Sequence, residues 1–292
     1  MQRFVDLTLN GIANGAIYAA AALSLVLIWR ATRILNFAQA GMLMFTTFIA
    51  WTVIDHGVSY WLGFLVALAS GLAMGALVER TIVRRVEGAP PLNAIIVTLG
   101  ILVLLQALAG MLWGSTPRSF PPAFSIRGYE IGGHAVLFSR FDLFTVLVVA
   151  AVMAGLVALF SWTSLGLRMR ASAFEPEVAR LLGVRVGDMF TVGWALASLV
   201  GSLAGVLVAP SVFVSPNSFD AILVFGFTAA VIGGLDSPSG AIVGGGLLGL
   251  ALSYVSGYAG SETVTLGALA ILVATLMVRP AGLFAGPRER RV

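Results

Sequence analysis

Two histidines, His56 and His134, are the candidates for general acid–base chemistry in this 292-residue sequence. Both fall in segments that read as loops, where a solvated role is the ordinary one. No Ser/His pair lies within reach inside an apolar stretch, which leaves hydrolysis within a membrane unsupported. Cysteine is absent, so thiol nucleophiles, disulfides and Cys-ligated metals are excluded. Lysine is absent too, and all 17 basic residues are Arg. A nucleotide-binding P-loop needs Lys on the phosphates, and Schiff-base chemistry needs its amine. ATP hydrolysis and imine chemistry on this chain are therefore excluded. No catalytic residue, metal site or cofactor is expected, and the chain does not read as an enzyme.

The remaining polar chemistry is uncharged and sits inside apolar runs. Asn10, Asn14 and Ser24 lie in the first run, Asn36 and Gln39 open the second, and Asn93, Thr98 and Gln106 lie in the fourth. In lipid such groups must be bonded within the protein, so they either tie helices together or line a polar path. All 13 acids fall at the ends of apolar runs or between them. An ion-coupled carrier normally keeps an ionisable group near the bilayer midplane, which counts against secondary transport. No Asn-Pro-Ala occurs, so the aquaporin signature is missing.

The elements that position these groups follow from composition. Apolar residues make up 59% and charged residues 10%, against about 25% charged in a soluble domain. Mean hydropathy is +1.00. The expected fold is all-α, a polytopic membrane protein of about eight or nine transmembrane or half-membrane helices forming one domain over 1–292. Charge-free stretches run 7–29, 34–54, 56–78, 88–117, 143–167, 189–219, 221–235, 237–261 and 263–278. A helix needs roughly 20 residues to cross the hydrocarbon. Seven stretches are long enough; 221–235 and 263–278 are short. If all nine cross with the N-terminus outside, 13 of the 17 Arg lie on the cytoplasmic side and only Arg3, Arg118, Arg127 and Arg140 outside. This explains the pI near 10.1 without nucleic acid as a partner. The first run carries Asp6 and a single preceding Arg and is read as retained, not cleaved.

Two loops exceed turn length. The outside loop, about 114–140, carries Pro117, Pro121 and Pro122 and reads as a short strand pair or irregular cap. The inside loop, about 163–188, reads as a short helix flanked by Gly and Arg. Glu175 and Pro176 form a helix start, Gly183 suits its end, and Leu181 and Leu182 give one side an apolar surface. Glycine pairs spaced four apart, including Gly11/Gly15, Gly71/Gly75, Gly201/Gly205, Gly240/Gly244 and Gly245/Gly249, predict close helix packing. The stretch Gly233-Gly-Leu-Asp-Ser-Pro-Ser-Gly240 breaks a helix, as a turn or beside a transport path.

Four stretches then resemble one family in order along nearly the whole chain: the branched-chain amino acid ABC permeases of the LivH type. They are Leu23-Ser-Leu-Val with Arg33-Ile-Leu-Asn-Phe-Ala-Gln39; Glu79-Arg80 through Gly88-Ala-Pro-Pro-Leu to Thr98-Leu-Gly100; Glu175-Pro-Glu-Val-Ala-Arg-Leu-Leu-Gly183; and Ala229 to Gly244 with Arg279-Pro-Ala-Gly-Leu-Phe284. The third resembles the ABC-permease coupling motif, with Glu177, Ala179 and Gly183 on its fixed positions and Val178 where the motif has Ala. The chain has Ala40-Gly41 where the family often has Gly-Glu.

The resemblance implies a bacterial inner-membrane permease subunit, embedded in membrane lipid, that moves branched-chain amino acids or a similar small polar solute. It implies a second permease subunit, two cytoplasmic ATP-binding subunits and an extracytoplasmic solute-binding protein as partners. Glu175, Pro176, Glu177, Ala179, Arg180, Leu182 and Gly183 would couple to the ATPase, with the small Ala179 permitting close approach. Asn36, Gln39, Thr98, Gly233, Gly234, Ser237 and Gly240 would lie by the translocation path, the first two having no evident partner in the sequence. The alternative is a passive channel for a small neutral solute such as urea or an amide.

Overall fold

The structure is a computed structural model describing residues 2–86, 89–131 and 134–284. Among the described residues it is all-α apart from one strand pair. The helices are α1 (Gln2–Thr32), α2 (Gln39–Asp55), α3 (Tyr60–Thr81), α4 (Pro91–Trp113), α5 (Arg140–Trp162), α6 (Ser164–Phe174), α7 (Pro176–Leu181), α8 (Val186–Val208), α9 (Asp220–Gly233), α10 (Pro238–Ala259) and α11 (Val264–Val278). Strands β1 (Gly128–Ile131) and β2 (His134–Ser139) pair antiparallel inside the 114–140 loop, one of the two forms left open by the sequence. Local chemistry sets the boundaries. Ser139 and Asp142 form a capping box on α5, Ser237 caps α10, and Pro opens α4, α7 and α10.

Among the described residues seven helical segments are long and apolar enough to cross a membrane. Two sequence expectations change. The 34–54 stretch yields a helix of only 17 residues, because Ile34 to Ala38 are not helical. The short 263–278 stretch is extended by the turn at Ser261 into an 18-residue apolar segment. The 14-residue α9 is short, as read. Charge spacing marked the solvent boundaries but could not reveal a break between them.

α1 and α8 are buried along most of their length, while α4, α5 and α11 present mostly open faces. Small residues make the interior close. Gly11 and Gly15 of α1 lie against Leu250 and the Gly245–Gly246 backbone of α10, and Gly249 lies on Gly15 in return. Gly71 and Gly75 of α3 meet Ser198, Ser202 and Trp194 of α8, and Gly205 meets Leu43 and Thr47 of α2. In lipid, helix association rests on such van der Waals packing, so the predicted glycine pairs are the contact surfaces themselves.

The charges gather at two ends. Arg33 pairs with Asp236, and Arg80 with Asp188 at 3.5 Å. Buried Glu79 receives Arg84 Nε at 3.0 Å and Nη2 at 2.9 Å, and the Thr191 hydroxyl at 2.6 Å. These contacts bring the C-terminal ends of α1 and α3, the α9–α10 turn and the start of α8 to one Arg-rich end. At the opposite end Arg118 lies 4.3 Å from the Trp51 ring centroid, donates to the Trp113 carbonyl at 2.6 Å and exchanges backbone hydrogen bonds with Val214. Trp51 and Trp113 there form an aromatic rim of the kind found at membrane interfaces.

Candidate translocation and coupling sites

The path candidates assemble around two interruptions of the helical backbone. Between α1 and α2 the chain is irregular from Arg33, which has a positive φ of 58°, to Ala38. Asn36 accepts from the Ala38 N–H at 3.1 Å and donates to Gln39 Oε1 at 3.0 Å. Gln39 donates to the Ala197 carbonyl of α8 at 3.3 Å and packs where Gly201 leaves room. Thr98 of α4 donates to the Leu35 carbonyl at 3.3 Å. All three side chains are buried. The premise that Asn36 and Gln39 lack partners is therefore corrected. Asn36 and Thr98 satisfy a broken backbone that lipid could not, and Gln39 ties Asn36 to α8.

The second interruption joins α9 to α10. Gly233 and Gly240 touch backbone to backbone, Gly234 turns the chain at φ +101°, and the Ser237 hydroxyl accepts from the Gly240 N–H at 3.0 Å. The chain after α11 closes this turn. Leu283 and Phe284 donate their N–H groups to the Ile232 and Gly233 carbonyls at 2.8 and 3.0 Å, which the end of α9 would otherwise leave unpaired. The two parts of the C-terminal motif, distant in sequence, are one structural unit. The two interruptions meet as well: Asp236 takes both Arg33 and the Trp29 indole N–H, and Phe37 and Phe227 face each other at 6.5 Å.

The coupling candidates occupy α7 and its flanks. The inside loop holds two helices, α6 and α7, where the sequence suggested one. Pro176 opens α7 after Glu175, and Glu177 lies in the first turn. The helix ends in a Schellman motif: Gly183, at φ +82°, donates to the Arg180 carbonyl at 3.0 Å, and Val184 to the Ala179 carbonyl at 2.9 Å. Ala179 is buried against Val186 and Phe190 of α8. Its smallness serves the fit of α7 to its own chain, which corrects the expectation that it allows approach by a partner. Glu175, Glu177, Arg180, Leu182 and Gly183 are exposed, and Pro176 is half-buried. The outward surface is apolar: Leu181 is 88% exposed and Leu182 78%, with Val178 and Phe174 beside them.

One polar group at membrane depth escaped the sequence reading. Asp220 opens α9, whose 14 residues span about 21 Å, short of a hydrocarbon core of about 30 Å. Its carboxylate accepts from Gln106 Nε2 at 2.9 Å. Gln106 lies seven residues, about 10 Å, before the end of α4 at Trp113. Both counts put Asp220 roughly 10 Å inside the rim, and it is exposed. An exposed carboxylate at that depth faces water or protein, not lipid. The available signal was an acid with no neighbouring Arg between two apolar runs, 189–219 and 221–235.

Comparison with known proteins agrees with this architecture. The chain is 27% identical to the LivH permease protein of the high-affinity branched-chain amino acid transport system of Escherichia coli K12, covering 99% of this chain and 98% of that protein. It is 28% identical to the corresponding BraD protein of Pseudomonas aeruginosa, with the same coverage. In fold it is similar to an inward-facing metal-chelate type ABC transporter, with a TM-score of 0.55 at 18% identity over 94% of this chain and 88% of that one. The profile of the family described as branched-chain amino acid transport system, permease component, matches residues 7–278. The chain thus belongs to the branched-chain amino acid transport permease family, as a multi-pass inner-membrane protein.

Proposed function

We propose that the chain is one half of the membrane channel of an ATP-driven importer for branched-chain amino acids or a similarly small polar solute. It performs no covalent chemistry. It pairs with a second permease chain, two cytoplasmic ATP-binding subunits and an extracytoplasmic binding protein, and ATP hydrolysis on those subunits shifts an alternating-access equilibrium through differential contacts. The observation that carries this reading is α7 with its flanks: a short helix anchored by Ala179 and capped by Gly183, which with Phe174 before it and Leu182 after it turns four large apolar side chains outward at the Arg-rich end. A passive channel needs no such surface. Burying Leu181 or Leu182 in an ATPase groove contributes about 1.5–3 kcal/mol each. Exposed ion pairs there contribute roughly 0–1 kcal/mol.

The transmission runs through α8. α7 rests on Val186 and Phe190, Arg84 fastens Gly187 and Thr191 to Glu79 of α3, and Ala197 two turns on holds Gln39. A shift at α7 therefore bears on the α1–α2 interruption. The path runs between the two permease chains along the flank where α4 and α9 present Gln106 and Asp220. Asn36, Gln39, Thr98 and the Gly233–Gly240 turn support that flank from within.

Two measurements test the reading. Leu182→Asp should leave the permease inserted while abolishing ATPase association and transport; normal transport by this variant would overturn the coupling role. Reporter fusions after Arg291 and within 118–134 should report opposite sides of the membrane, with the C-terminus cytoplasmic. The same side for both would overturn the orientation.

A further inference from the structure

Away from the coupling surface and the α4–α9 flank, α1, α5, α6 and α10 leave a cleft of about 230 Å³ at the Arg-rich end. Its shaft is apolar, walled by Leu23 and Leu27 of α1, Met153, Leu156 and Val157 of α5, and Ile242 of α10. Its mouth is not. Arg30 of α1 and Arg170 of α6 both line it, with Ser161 and Ser239 beside them. From Arg30 to Leu23 is seven residues, about 10 Å of helix, so the shaft extends into the hydrocarbon from a polar rim.

The charges at the mouth are unbalanced. Among the described residues neither Arg30 nor Arg170 is in an ion pair. The acid of the adjoining turn, Asp236, attracts Arg30 but is held by Arg33 and Trp29, so this one carboxylate is set against Arg30, Arg33 and Arg170. Two guanidinium groups at one mouth disfavour each other and present planar donor forks that match phosphate oxygens. A cationic rim above an apolar shaft, opening at the membrane boundary, is complementary to one class of molecule. We propose that this cleft binds an anionic phospholipid of the leaflet at the Arg-rich end, with the phosphate between Arg30 and Arg170 and an acyl chain along Leu27, Leu156 and Val157. Because Arg170 belongs to α6, which leads into α7, the lipid fastens the base of the coupling segment to the membrane core. The assignment does not depend on the transported solute.

The test uses the full-length permease purified in neutral detergent and depleted of lipid. Phosphatidylglycerol, phosphatidylcholine with the same chains, and inorganic phosphate are titrated separately, with lipid adducts read by native mass spectrometry and stability by thermal midpoint. Phosphatidylglycerol should bind at least tenfold more tightly than phosphatidylcholine and raise the midpoint, while inorganic phosphate does neither. R170Q, at an exposed position, should reduce phosphatidylglycerol to the phosphatidylcholine level. V157W, at the half-exposed wall of the shaft, should weaken binding of phosphatidylglycerol without touching the guanidinium groups. Equal binding of the two lipids, the same stabilisation by inorganic phosphate alone, or unchanged selectivity in R170Q would each overturn the proposal.

Discussion

The α1–α2 interruption and the α6–α7 segment both break the helical ladder near the Arg-rich end, and they resolve the break in opposite ways. In the first, the uncharged polar side chains turn inward. Asn36, Gln39 and Thr98 are buried, and their bonds go to each other, to Leu35 and to Ala197. In the second, α7 closes its backbone through the Gly183 cap, Ala179 alone of that helix faces in, and Val178, Leu181 and Leu182 face out. Sequence polarity alone suggests the reverse, since Asn and Gln look like ligands and Leu looks like core. What separates a structural polar group from a functional one is whether its partners are already supplied. What separates a core leucine from a docking one is whether anything covers it.

Four substitutions press on that contrast, ordered by their effect on the fold. Gly233→Val should be the most severe. It places a side chain where Gly240 backbone already lies and disrupts the α9 cap formed by Leu283 and Phe284, so little folded permease should be recovered from membranes. Gln39→Leu should follow. It leaves the buried Asn36 amide without its Gln39 acceptor and cuts the tie to α8 at Ala197, at a cost of about 1–3 kcal/mol, visible as a lower thermal midpoint in detergent. A variant as stable as the parent would mean that the α1–α2 interruption is held by something other than this network.

Ala179→Trp comes third. Overpacking the contact with Val186 and Phe190 should cost about 1–3 kcal/mol and increase proteolysis within 163–188, with the membrane core unchanged. Because Ala179 faces its own chain, loss of ATPase association in this variant would be secondary to local disorder, whereas in Leu182→Asp it should occur with the segment intact. Comparing the two by limited proteolysis separates docking from support. The smallest effect belongs to Arg80→Gln. The 3.5 Å pair with Asp188 is exposed, so its loss should change stability by no more than about 1 kcal/mol. A larger loss would show that this pair works together with the Glu79–Arg84 cluster beside it.

Much of this was legible in order along the chain. Membrane residence, the all-α class and the two-ended Arg distribution follow from which residues water and hydrocarbon accept, and every residue carries that property with it. The limits of α7 were legible too, because Pro at a helix start and Gly at a left-handed end are local requirements. So was the glycine seam, since four-residue spacing puts small residues on one helix face wherever the partner lies.

Tertiary structure alone decided which groups find each other. Asn36 and Gln39 are satisfied because α8 brings Ala197 and the space at Gly201. Ala179 faces inward because α7 folds back on Phe190. The Arg279–Phe284 motif completes the Gly233 turn because α11 returns it there. Asp220 reads as an ordinary loop acid until the short length of α9 sets it inside the rim beside Gln106. Partnership and depth are relations between distant segments, fixed by packing geometry, and no single stretch of sequence contains them.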